Sequence, residues 1–250
     1  MTGSAMAEQP ELHPALARLT ADRPDRLRFA TVIARRDARP VAWPDWVPAD
    51  VQHAFEASGI DRPWEHQART ADLAWAGRHV AVATGTASGK SLAFWLPVLA
   101  AAHQGREALD GRGATALYLA PTKALAHDQR RALGEVDVAG ARVAVVDGDT
   151  VGEERAWARA HATIVLTNPD MIHASILGGH PQWAAFLRRL RYVIVDEAHA
   201  YRGLFGAHVG VVLRRLRRAC DRYGSQPTFI AASATIAEPA ELLERLIGAP

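Results

Sequence analysis

The chain has 250 residues, 49% hydrophobic and 22% charged, enough apolar material for one sizeable α/β core with an extension and outside the range of disordered chains. A formal net charge of +2 is too small to identify a nucleic-acid binder, although the pI near 9.0 leans that way. The only cysteine, Cys220, excludes an intrachain disulfide and a multi-cysteine zinc site, which fits a reducing cytoplasm.

Residues 1–40 carry Glu8, Glu11, Asp22 and Asp25 and no apolar h-region, so they are no secretory signal and read as an extension of uncertain order. Trp43-Pro44-Asp45-Trp46 and Pro48 set turns. Residues 51–58 and 65–76 are predicted helical, after which short β-branched runs alternate with helical segments at 79–84, 114–120, 142–147, 162–167, 191–196 and 227–232. These runs are continuously apolar, as expected when helices cover both faces of a parallel sheet, so the predicted fold is a doubly wound, mainly parallel α/β sheet. Residues 104–113, with three glycines, are expected to form a mobile connector. The most apolar stretch, 92–102, is interrupted by Pro97 and is shorter than the roughly 20 residues a spanning helix needs, so no membrane association is expected.

Ligands of such sheets sit at the carboxyl ends of the strands. The first run leads into Thr84-Gly85-Thr86-Ala87-Ser88-Gly89-Lys90-Ser91 and then a helical segment, the order a phosphate site requires. Loop N–H groups and the positive end of a helix bind phosphate oxygens, Lys90 would reach the β- and γ-phosphates, and the Ser91 hydroxyl would ligate Mg²⁺. The P-loop pattern is met except that Thr84 stands where its first Gly would be. Only Lys90 and Lys123 are lysines among 29 basic residues, so a compact ammonium at position 90 stands out against arginine usage. The fifth run ends in Asp196-Glu197-Ala198-His199, where Asp196 could hold Mg²⁺ and Glu197 could orient and deprotonate a water. Alone, this pair would read as a solvated acidic turn.

Together these residues resemble the DEAD/DEAH-box helicases of superfamily two. Asp196-Glu197-Ala198-His199 is similar to motif II, and Trp64-Glu65-His66-Gln67 resembles the Q motif, in which Gln67 would pair with adenine. Pro121-Thr122-Lys123 opens a stretch resembling motif Ia, Asn168-Pro169 belongs to one resembling motif Ib, and Ser233-Ala234-Thr235 matches motif III, which couples hydrolysis to strand movement in the family. The resemblance, from about residue 41 to 250, implies a RecA-like ATP-binding domain using ATP and Mg²⁺. Its partner would be single-stranded or partly duplex DNA, with RNA possible. The Gly85-Thr86-Ala87-Ser88 variant, Asp147-Gly148-Asp149-Thr150 and the Ala200-Tyr201-Arg202-Gly203 continuation are most similar to a bacterial branch of DNA-repair helicases with a C-terminal cysteine-rich metal domain.

Strand-to-helix turns at Thr122–Ala124 and Asn168 would offer N–H groups to phosphates, with Lys123 adding a charge. His199 is expected to relay the γ-phosphate state toward motif III by hydrogen bonding, while the other histidines show no ligand spacing. Arg214, Arg215, Arg217 and Arg218 read as a solvated face, and Trp43, Trp46 and Trp75 as packing, with Trp64 alone placed to lie near a base. Pro250 follows Thr235 by 15 residues, so the second RecA-like domain, with its γ-phosphate arginines, is expected to be missing. The chain alone is then expected to hydrolyse ATP slowly and not to unwind duplexes. The competing readings are an RNA helicase or translocase of the same superfamily and a nucleotide- or nucleic-acid-binding module without turnover.

Overall fold

The computed structural model describes Arg18, Ala21 and residues 39–85, 88–107 and 112–249. Contacts divide the chain into Met1–Ala38 and Arg39–Pro250. Of the extension expected at 1–40, all but Arg18, Ala21, Arg39 and Pro40 lie outside the described residues, as do Thr86, Ala87, 108–111 and Pro250. The larger unit takes in Arg39 and Pro40. Pro40 bridges Trp64, and Glu65 N–H donates to Arg39 O at 2.9 Å.

Helices α1 (Ala49–Ala57) and α2 (Glu65–Trp75) lead to β1 (Val80–Ala83) and α3 (Lys90–Gln104). Then follow β2 (Thr115–Leu119), α4 (Lys123–Glu135), β3 (Val143–Val145), α5 (Gly152–His161), β4 (Ile164–Thr167) and the short α6 (Pro169–Met171), which runs on as a π-helix over Ile172–Leu177. The chain closes with α7 (Ala184–Leu187), β5 (Leu190–Val195), α8 (Gly203–Tyr223), β6 (Thr228–Ser233) and α9 (Pro239–Ile247). Each predicted run contains or overlaps one strand. The expected connector at 104–113 is partly helical instead: α3 reaches Gln104 and a 3₁₀ turn occupies Gly105–Glu107.

The six strands form one sheet in the order β1-β6-β5-β2-β4-β3, every neighbouring pair parallel. Period-two alternation sends Leu117, Leu119, Val193, Val195 and Phe229 to one apolar layer, and Ala116, Tyr118, Tyr192, Ile194 and Ile230 to the other. The first layer packs on α8 and α9 through Leu213, Leu216 and Leu246; the second packs on α2 and α3 through Ala71, Phe94 and Leu96. Because both faces are covered, every residue of β2, β4 and β6 is buried, which is why these runs show no polar alternation.

The arginine run lies at the surface as expected, with Arg214 and Arg218 exposed, and it also makes contacts the sequence did not predict. Arg214 donates to Arg245 O at 2.5 Å, Arg217 to Ile247 O at 2.7 Å and Gly248 O at 3.1 Å, so two guanidinium groups cap the carbonyl end of α9. Arg215 contacts His173 Nδ1 at 2.7 Å. The tryptophans pack as expected: Trp46 stacks on Trp75 with ring centroids 4.4 Å apart, and Trp43 on Phe55 at 5.9 Å. Among the described residues no helix is long and apolar enough to cross a membrane.

The central position of β2 makes its side chains costly to truncate. Leu117→Ala is expected to lower the unfolding free energy by about 2–5 kcal/mol in urea titration, while Leu204→Ala, at an exposed position on α8, changes it by less than about 0.5 kcal/mol.

Candidate nucleotide and nucleic-acid site

The phosphate-type loop leaves β1 at Thr84, whose N–H donates to Ser233 O at 3.4 Å and so ties the loop's start to the end of β6. Thr84 Oγ1 and Ser88 Oγ are hydrogen-bonded to each other across the loop. The hydroxyl at the position where the pattern has glycine thus closes the loop on itself. Gly89, at φ +66°, turns the chain into α3, a conformation that an L side chain adopts only with strain. Lys90 extends its ammonium to Thr84 O at 3.1 Å and Gly85 O at 3.0 Å, resting on carbonyls that a phosphate would displace it from. Of the predicted loop residues, Thr86 and Ala87 lie outside the described residues.

Gln67 reaches the same loop from the first turn of α2. It is buried, its Oε1 accepts Trp64 N–H at 2.7 Å, and its Nε2 donates to Gly89 O at 2.9 Å. Both ends of the Gln67 amide are thus engaged by backbone, so pairing with a base would require exchanging one of these bonds. His66 Nε2 lies 3.3 Å from Ser88 O, so two consecutive side chains of α2 hold the loop's second half.

Strand β5 ends beside β2, and Asp196 N–H donates to Leu119 O at 3.0 Å. The Asp196 carboxylate is nearly buried, accepting Tyr118 Oη–H on Oδ2 and Glu197 N–H on Oδ1 at 2.8 Å. Burial pushes its pKa above the ordinary range, with the Glu197 charge adding to the rise and the Tyr118 hydroxyl, the Glu197 N–H and Lys90 pulling the other way. Glu197 sits at φ +47°, ψ +43°, the only non-glycine at positive φ among the described residues. His199 Nδ1 is shared: Glu197 Oε2 lies at 3.1 Å, Ala234 N at 3.4 Å and Ser233 Oγ at 3.5 Å. The one nitrogen can donate to the carboxylate or accept from Ala234 N–H, not both at once.

At the ends of β2 and β4, Thr122 caps α4 by accepting Leu125 N–H at 3.3 Å and Asn168 caps α6 by accepting Met171 N–H at 2.9 Å, each with proline beside it at Pro121 and Pro169. First-turn N–H groups of a helix such as α4 point outward from its start. Lys123 is paired with Asp149 Oδ2 at 2.5 Å, so its charge is held by the loop after β3. That loop is organised by Asp147, whose Oδ1 accepts Asp149 N–H at 2.9 Å and Thr150 N–H at 3.1 Å. Burial pushes the Asp147 carboxyl up, but those N–H bonds, His127, Thr150 and the Lys123 charge outweigh it and hold the pKa below the ordinary value.

Two contacts at the site had no signal in the sequence patterns. Tyr118 reads as one more aromatic in an apolar strand. Gln129 links α4 to α3, accepting Trp95 Nε1–H at 2.8 Å and approaching Ser91 Oγ at 3.5 Å. Clefts of about 650 Å³ between α4, β3 and α5 and about 700 Å³ between α8 and α9 lie away from Lys90 and Glu197. Among the described residues no three His, Cys, Asp or Glu side chains gather as a metal cage.

Residues 64–243 match the family model described as DEAD/DEAH box helicase. The chain is 42% identical over 221 residues to the ATP-dependent helicase YprA of Bacillus subtilis, covering 87% of this chain and 29% of that protein. It is 38% identical over 200 residues to the ATP-dependent helicase hrq1 of Schizosaccharomyces pombe, covering 78% of this chain and 18% of that one. Its fold superposes on the crystal structure of the DUF1998 helicase MrfA bound to DNA and AMPPNP with a TM-score of 0.81 and 41% identity, over 87% of this chain and 30% of MrfA. The chain therefore spans less than a third of the length of each.

Two local arrangements give direct tests. A Cβ at Gly89 would stand 2.6 Å from Gln67 Nε2, so Gly89→Ala is expected to destabilise by about 1–3 kcal/mol in urea titration, and Gln67→Ala in that background to return part of the loss. Because the folded pKa of Asp147 is depressed, its stabilisation is present above the unfolded carboxyl value near pH ~4 and is lost as pH falls through the folded value. The stability difference between the parent and Asp147→Asn should be constant at neutral pH and shrink on acidification below about pH 4.

Proposed function

The chain belongs to the DEAD/DEAH box helicase family, and from that membership we propose that it is the ATP-binding motor half of an ATP-dependent DNA helicase. Turnover would be coupled to translocation and unwinding in a protein of the relatives' length. The observation that carries this reading is topological: the loop holding Lys90 after β1 and the acidic pair after β5 leave the same carboxyl edge of one parallel sheet, with only β6 between the two strands. The choice of DNA rests on the likeness to MrfA, solved with DNA and AMPPNP.

In this reading the loop from Thr84 to Ser91, with Thr86 and Ala87, receives the triphosphate, and Lys90 leaves its carbonyl rest for the β- and γ-phosphates. Gln67 trades a backbone bond for adenine. The donor set suits magnesium: Ser91 offers a hydroxyl, and Asp196 offers a buried carboxylate whose charge burial disfavours and a divalent cation would stabilise. When bound, magnesium would neutralise phosphate charge. Glu197, half-exposed, accepts the proton of the attacking water and is steadied by His199. His199 passes the change on through Ala234 and Ser233, with Thr235 completing the coupling segment.

Pro121, Thr122, Lys123, Asn168 and Pro169 form the track for a single strand, gripped through phosphates without reading sequence. Seating a phosphate at Lys123 requires opening its pair with Asp149. Residues 41–250 are then the first RecA-like domain, residues 1–40 an extension, and the cytoplasm the compartment, where the buried Cys220 stays reduced.

Glu197→Gln separates catalysis from binding. Steady-state ATPase measured with saturating single-stranded DNA should fall about 10²- to 10⁴-fold while ATP affinity is kept. Equal turnover in both proteins would sink the assignment of Glu197 as the base, and stimulation by RNA but not DNA would overturn the substrate class.

A further inference from the structure

Tyr118 occupies the middle of the sheet, fully buried on β2, where packing alone would be served by phenylalanine. A hydroxyl in that position loses its water, which is costly unless a strong partner replaces it. Its partner is the Asp196 carboxylate, and a hydrogen bond to an ionised acceptor is stronger than one between neutral groups. The backbone around the pair is rigid: Tyr118 is in register with Ile194, and Asp196 N–H donates to Leu119 O at 3.0 Å. With Oδ2 held by Tyr118 and Oδ1 by Glu197 N–H at 2.8 Å, the carboxylate plane cannot turn freely.

We propose that Tyr118 is a positioning residue for the metal site, fixing Asp196 in the orientation in which it accepts the divalent cation that accompanies the nucleotide. The inference rests on the assignment of Asp196 as the magnesium-binding carboxylate. Tyr118 also lies on the strand that delivers Pro121, Thr122 and Lys123, so the clamp joins the metal site to the nucleic-acid track through one rigid element. Tyr192 supplies a control. Its hydroxyl is buried without a hydrogen-bond partner, on the same face of the neighbouring strand.

The experiment measures affinity for a fluorescent, non-hydrolysable ATP analogue with the 250-residue chain, in excess Mg²⁺ and in excess EDTA. Tyr118→Phe should weaken binding in Mg²⁺ about tenfold and leave binding in EDTA within about twofold of the parent, while Tyr192→Phe moves neither. If Mg²⁺ strengthens binding equally in the parent and in Tyr118→Phe, Tyr118 has no positioning role. A Tyr118→Phe protein that loses affinity equally in both buffers, with a lowered Tm, marks the phenol as a core residue only and also overturns the proposal. A parent protein insensitive to Mg²⁺ removes the assignment of Asp196 itself, and this inference with it.

Discussion

Parallel pairing does more here than build a core, because the hydrogen-bond ladder does not stop where the strands do. Asp196 N–H bonds to Leu119 O, Thr84 N–H to Ser233 O, Ala120 N–H to Thr167 O and Val146 N–H to Leu166 O, so the first residue past four different strands is still held by a neighbouring strand. Each bond contributes only about 1 kcal/mol net, yet each would leave a buried polar group unpaired if broken. The phosphate loop, the acidic pair and the nucleic-acid loops are therefore fixed relative to one another by main chain, before any side chain is considered. A sheet with one antiparallel strand in the middle would send one of these groups to the opposite edge.

On that frame the polar side chains are paired within the protein. Lys90 lies on loop carbonyls, Gln67 on the carbonyl of Gly89, and Lys123 on Asp149. In the proposed function, nucleotide and nucleic-acid binding would therefore be an exchange of partners rather than a gain of new ones. His199 carries the same logic between two protein groups, its Nδ1 facing both the Glu197 carboxylate and the Ala234 N–H.

Much of this was legible in the sequence because the relevant forces are local. Six uninterrupted apolar runs announce strands covered on both faces, and small or capping residues after them announce loops. What was not legible depends on tertiary approach. The backbone bonds of the Gln67 amide exist only once α2 is laid against the loop, and the carbonyl contacts of Arg214 and Arg217 only once the end of α9 arrives beside α8. Tyr118 is hidden for a different reason: in a buried strand its ring satisfies the pattern completely, and nothing in a linear reading shows where its hydroxyl points. The departure at Thr84 also needed coordinates, since its bond to Ser88 spans the turn.

The left-handed backbone at Glu197 sets the chemistry of this site against the robustness of the fold. A side chain there costs about 1–2 kcal/mol that glycine would not incur and asparagine would incur only in part. A screen that rewards heat tolerance alone would thus enrich glycine or asparagine at position 197, and with it, under the proposed role of Glu197, inactive sequences. If Glu197 is the base proposed above, a lineage released from ATP hydrolysis would drift the same way, with glycine after the aspartate as its mark.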